Sequence, residues 1–133
     1  MQTYRVRVTR VSDAHAQAAV RTFFLELGAH RADDDAGFNS VETLLASLGS
    51  CLLTSLKFVA ELSDVPIEGA WIELDATRQD RPPIIVAIRY RLHVSSTQPS
   101  ERVERMVELA RANSTVLGTL ARATAVQGDW IRD

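Results

Sequence analysis

The chain carries one cysteine, Cys51, in 133 residues. It cannot close a disulfide on itself, so nothing in the fold depends on an oxidising compartment. It also carries one lysine, Lys57, against fourteen arginines scattered along the whole length. With a formal net charge of −2 and only 6% aromatic residues, it has neither the basic stripe nor the interleaved aromatics of a nucleic-acid binder. No uninterrupted apolar run approaches the roughly eighteen residues of a membrane span. The N-terminal stretch Met1–Val8 alternates polar and apolar residues and lacks the apolar core of a signal peptide. No Gly-rich phosphate loop, no G-x-S-x-G elbow and no metal-ligand spacing occurs, so no metal and no cofactor is expected. These absences predict a cytoplasmic protein with no nucleic-acid and no membrane partner.

What is present is the composition of one globular domain, residues 1–133, 46% hydrophobic and 24% charged. Period-2 alternation predicts strands over 3–11 and 14–27, with Ser12-Asp13 as the turn between them. Residues 28–39 lack periodicity and read as a loop, its aspartates a solvated surface. Apolar residues then recur at three and four from Val41 through Leu44, Leu45, Leu48, Leu52 and Leu56 to Val59, which predicts a long helix ending near Leu62. Asn39 and Glu42 fit a capping box at its start. Its other faces carry small residues, Ala46, Ser47, Gly49, Ser50, Thr54 and Ser55, as expected of a central helix packed closely by another backbone.

After Pro66, strands are predicted over 69–78 and 84–94, separated by a turn at 79–83. The second should turn Ile84, Val86, Ile88, Tyr90, Leu92 and Val94 to one face, and Arg89, Arg91 and a surface His93 to the other. Ser100 should cap a helix through Ala112 with Val103, Met106, Val107 and Ala110 as its buried stripe. A helical turn over 116–121 and a closing strand over 124–131 follow. The order β-β-α-β-β-α-β with few crossovers predicts an α+β fold with mostly antiparallel pairing.

Few residues can carry chemistry. Cys51 lies about three turns into the long helix, too far from its N-terminus for the helix dipole to help, so activation of its thiol has to come from elsewhere. The histidines His15, His30 and His93 form no constellation by spacing.

The segment Phe38-Asn39-Ser40-Val41-Glu42-Thr43-Leu44-Leu45-Ala46-Ser47-Leu48-Gly49-Ser50-Cys51 resembles the signature of the OsmC/Ohr family, in its OsmC-like branch. Glu42 falls on the family's glutamate and Leu48-Gly49-Ser50-Cys51 on its "L-G-G-C" end. The resemblance implies an antiparallel sheet wrapped around a long central helix in an intertwined homodimer. It also implies thiol-dependent reduction of organic hydroperoxides or hydrogen peroxide in oxidative-stress defence, with Cys51 as the peroxidatic cysteine. An arginine from the N-terminal loop and Glu42 would assist; Arg31 is the first candidate for that arginine and Arg21 the second. Nine positions put Glu42 half a turn out of phase with Cys51, which favours the capping role. The family's resolving cysteine falls on Ser114, whose hydroxyl cannot form a disulfide. Cys51 would then depend on an external thiol reductant. The alternative is a catalytically inactive protein of the same fold that binds a small apolar ligand at the dimer interface.

Overall fold

The computed structural model describes all 133 residues, Met1–Asp133. Two compact units divide the chain, Met1–Leu44 and Leu45–Asp133. In element order the strands are β1 (Arg7–Arg10), β2 (His15–Val20), β3 (Phe23–Gly28), β4 (Gly69–Asp80), β5 (Pro83–Ser95) and β6 (Ala125–Arg132). The helices are α1 (Ser40–Leu62), α2 (Ser100–Asn113) and α3 (Thr115–Leu120), with a 3-10 turn at Asp34–Ala36. The fold is α+β, with two three-stranded sheets and one long helix.

The first unit is an antiparallel meander, β1-β2-β3. Its second and third strands occupy the stretch expected as a single strand over 14–27, with β3 running one residue further, to Gly28. The chain reverses at Arg21-Thr22, between the paired Val20 and Phe23, with Arg21 at a left-handed φ of 53°. Neither turn residue is Gly, Pro or Asn, which is why the composition shows no break there. Tyr4, Val6, Val8, Phe23, Phe24 and Leu25 are all exposed on this unit. The capping box forms as expected: Asn39 Oδ1 accepts from the Glu42 N–H at 2.9 Å, and Glu42 Oε1 accepts from the Asn39 N–H at 3.0 Å.

In the second unit β4 and β5 pair antiparallel, while β6 runs parallel to β5, so this sheet is mixed rather than purely antiparallel. Leu48, Leu52, Leu56 and Val59 of α1 are buried in two apolar clusters. One holds Leu92, Val94, Val103, Met106, Val107 and Ala110, and the other Ile88, Tyr90 and Leu117. The length and apolar character of α1 would also suit a membrane span, but here it is the core helix. Gly49 permits its close approach to β4, because a Cβ there would lie 3.0 Å from Leu74 Cδ1.

Three local expectations are corrected. A β-bulge opposite Thr77/Arg78 shifts the phase of β5, so Ile88, Tyr90, Leu92 and Val94 face the core while Ile84 and Val86 are exposed and Ile85 packs inward in their place. Ser100 is the first residue of α2, not its cap. Pro99 precedes it without a side-chain cap, and Ser100 Oγ accepts instead from Arg132 at 3.0 Å. His93 is only 7% exposed. Trp71 stacks on its ring at 3.6 Å, Glu73 Oε1 lies 2.9 Å from Nε2, and Asp133 Oδ1 lies 3.1 Å from Nδ1.

With a carboxylate at each ring nitrogen, both nitrogens can donate at once only in the imidazolium, which this setting favours. The Glu73 hydrogen bond raises the His93 pKa most; desolvation opposes it and Asp133 adds to it. A raised folded-state pKa contributes stability that is complete below the unfolded value of about 6.5 and is lost as pH rises through the folded value. Urea midpoints measured from pH 5.5 to 9 should therefore fall as pH rises above about 6.5. His93→Gln should flatten that decline; an identical slope in the variant would show that His93 is not its source.

Candidate functional site

Cys51 projects from the middle of α1, partly exposed, beside the junction of α2 and α3. That junction is Ser114, 3% exposed, which ends α2 and caps α3. Its Oγ accepts from the Leu117 N–H at 3.3 Å and donates to Cys51 Sγ at 3.2 Å. The sequence at this point explains the geometry: a serine with extended backbone just ahead of a helical turn is a standard N-cap, its side-chain oxygen free to bond the third amide on. Ser55, one turn after Cys51 on α1, is buried and bonds the Asn113 carbonyl at 3.5 Å, tying α1 to the end of α2.

These contacts set the acidity of the thiol. Burial pushes the Cys51 pKa up. Against it act the Ser114 hydroxyl, the Val116 and Thr115 backbone N–H groups and the Ser55 hydroxyl, and the thiol ends below its ordinary value. These residues belong to the second unit, as Cys51 does; the Ser55 proton is directed to the Asn113 carbonyl, so Ser114 is the donor that the geometry gives to the sulfur. A polarised sulfur with partial access to solvent is what nucleophilic thiol chemistry requires.

The residues singled out from sequence fall in both units. Cys51 and Ser114 come together. Arg31 is an exposed residue of the loop between β3 and α1, in the first unit. Arg21 forms the tip of the β2–β3 hairpin, its guanidinium 5.7 Å from the centre of the Phe23 ring. Glu42 is engaged in the capping box at the start of α1. Ser55 and the Thr115 and Val116 amides were not foreseen. The break at Asn113-Ser114-Thr115 was visible, but reading Ser114 as a cap aimed at Cys51 requires knowing that α1 and the α2–α3 junction meet.

An α+β chain with a long core helix carrying one partly exposed free cysteine defines the class. The sequence model of the family described as OsmC-like protein matches residues 32–128, and the chain belongs to that family. Solved structures agree. An OsmC-like protein from Mycoplasma pneumoniae superposes with a TM-score of 0.90 at 15% identity, over 98% of this chain and 97% of that one. A hypothetical protein from Aquifex aeolicus VF5 gives 0.86 at 20% identity, over 100% and 98%. The organic hydroperoxide resistance protein OhrB of Bacillus subtilis gives 0.72 at 14% identity, over 96% and 98%. At such identities the likeness is one of fold. No curated protein matches the sequence.

Proposed function

We propose that this chain, as a single domain over residues 1–133, is a one-cysteine thiol peroxidase of oxidative-stress defence. It would reduce organic hydroperoxides or hydrogen peroxide in the cytoplasm, as a homodimer. The observation that carries the reading is the Ser114 hydroxyl donating to Cys51 Sγ at 3.2 Å, which favours the thiolate in a partly open position. The Bacillus subtilis relative, by its name a protein of organic hydroperoxide resistance, points to the same substrate class.

In the first step the Cys51 thiolate attacks one peroxide oxygen. An S–O bond forms, the O–O bond breaks, and the leaving alkoxide or hydroxide takes a proton from water, leaving the alcohol or water and a sulfenic acid. Cys51 has then lost two electrons and the peroxide has gained them. Because the chain has no other cysteine, the sulfenic acid condenses with an external thiol, releasing water and forming a mixed disulfide. A second external thiol displaces Cys51 from that disulfide and restores it. Arg31, with Arg21 as second candidate, and Glu42 are the residues proposed to assist the Cys51 thiolate alongside the Ser114 hydroxyl.

The homodimer draws support from exposed surface. Ser47, Ser50, Thr54 and Phe58 lie on an open face of α1, and the strands of the first unit expose Val6, Val8, Phe23, Phe24 and Leu25. A second reading is binding of a small apolar ligand at the dimer interface without turnover; an open cavity of about 600 Å³ brings Leu53, Leu56, Val65 and Ile67 together with Lys57, Glu61 and Asp64.

The deciding measurement is intact mass after brief exposure to cumene hydroperoxide or hydrogen peroxide with a sulfenic-acid trap, from pH 5 to 9. Stoichiometric trapping that is already fast below the ordinary thiol pKa of about 8.5 is expected. A mass that stays unchanged until the protein is unfolded would sink the peroxidase and favour the ligand-binding reading.

A further inference from the structure

We infer that Ser114 is a positioning residue that holds Cys51 in its thiolate form, so that the position where a disulfide cannot form acts by hydrogen bonding instead. The inference rests on the reading of Cys51 as the nucleophile. A serine hydroxyl has one proton to give and lone pairs to receive. At Ser114 the oxygen receives the Leu117 N–H at 3.3 Å, and its proton is directed to Cys51 Sγ at 3.2 Å. The backbone N–H of Ser114 is occupied by the Arg111 carbonyl at 3.3 Å, so the hydroxyl is the only donor this residue presents to the sulfur.

The residue is 3% exposed, so bulk water does not compete for that proton. A neutral thiol is a weak acceptor and a thiolate a strong one, so the bond favours the deprotonated sulfur. The direction of the donor is set by α3: the same oxygen caps the helix, which fixes the Ser114 side chain before any peroxide arrives. The hydroxyl gives up no electrons and forms no covalent bond. Its effect is confined to the sulfur's acidity, and the sulfenic acid formed later stays open to an external thiol.

The test is the pH profile of Cys51 alkylation by iodoacetamide in the full chain, followed by intact mass, for the natural sequence, Ser114→Ala, Ser114→Thr and Ser114→Asp. Removing the donor should move the titration midpoint of Ser114→Ala up by about one pH unit, so that the rate at pH 6.5 falls about threefold. The plateau rate above about pH 10 should rise about threefold, because a thiolate of higher pKa is intrinsically more nucleophilic. Ser114→Thr keeps the hydroxyl and should restore the low midpoint. Ser114→Asp keeps an N-cap acceptor on α3 but has no proton to give at neutral pH. It should move the midpoint up further, which preserves the test if loss of the cap unfolds Ser114→Ala.

A midpoint unmoved in both Ala and Asp variants, or one that Thr fails to restore, overturns the role of Ser114. Alkylation needs no peroxide, so the two readings separate. A low midpoint that responds to Ser114 in a protein that peroxide does not oxidise leaves this inference standing and removes the peroxidase.

Discussion

Gly128→Ala is expected to destabilise the chain by about 3 kcal/mol, near the upper end of overpacking costs, and to lower its melting temperature by about 10 °C. Gly128 lies in β6 opposite Tyr90 of β5, and the Tyr90 ring lies flat across it. A Cβ at 128 would meet three ring carbons, Cζ, Cε1 and Cε2, well inside the 3.0 Å that real contacts never breach. The ring has little room to move. It is 5% exposed, clustered with Leu48, Leu52, Ile88 and Leu117, and covered by the Arg111 guanidinium 5.8 Å from its centre. Neighbouring backbone would therefore have to shift instead.

The effect should be strongly non-additive with truncation of the ring. In a Tyr90→Val background the methyl has space, and the cost of Gly128→Ala should shrink to within about 1 kcal/mol. Tyr90→Phe is the control, since Tyr90 Oη makes no hydrogen bond to the protein. It should stay within about 1 kcal/mol of the natural chain and remain as sensitive to Gly128→Ala. Urea titrations of the single and double variants measure this. Equal costs of Gly128→Ala in the natural and Tyr90→Val backgrounds would refute the clash.

Elements held by a repeating apolar pattern were legible in the sequence. Leu48, Leu52, Leu56 and Val59 marked α1, and Val103, Met106, Val107 and Ala110 marked α2, because each helix buries one stripe and the pattern is the stripe. The Asn39–Glu42 capping box was legible for the same local reason: both partners lie within one turn. What escaped depends on single residues working against type or on distant partners. Arg21 takes a left-handed turn position that a glycine would have announced. The bulge at Val86 displaces Ile84 and Val86 outward by inserting one residue, and alternation alone cannot show it. His93 sits on the polar face of β5 as expected, yet Trp71 and Asp133, 22 and 40 positions away, cover it. The site divides in the same way. Cys51 and Ser114 stood out through the family resemblance, whereas the bond between them spans 63 positions and exists only because the core of the second unit brings α1 to the α2–α3 junction.

The open face of α1 carries the other large expectation. Replacing Thr54 with arginine should weaken the proposed dimer about a hundredfold or more while leaving the fold of each chain intact. Thr54 is exposed, and along the helix it lies opposite the buried line of Leu48, Leu52, Leu56 and Val59. Nothing in the chain itself would be disturbed, and arginine is the better helix former of the two. Small residues at Ser47, Ser50 and Thr54 allow a second backbone to come close, and a guanidinium placed there would be buried without a partner.

Leu52→Ala on the opposite side is the contrasting control. Leu52 is 1% exposed, so the cavity should cost about 3 kcal/mol in unfolding. Sedimentation equilibrium and urea unfolding on the two variants separate the effects. Thr54→Arg should change association but not the unfolding free energy of the separated chain. Leu52→Ala should lower that free energy. If Thr54→Arg associates as tightly as the natural chain, this face of α1 is not where two copies meet, and the exposed apolar strands of the first unit become the surface that must account for the dimer.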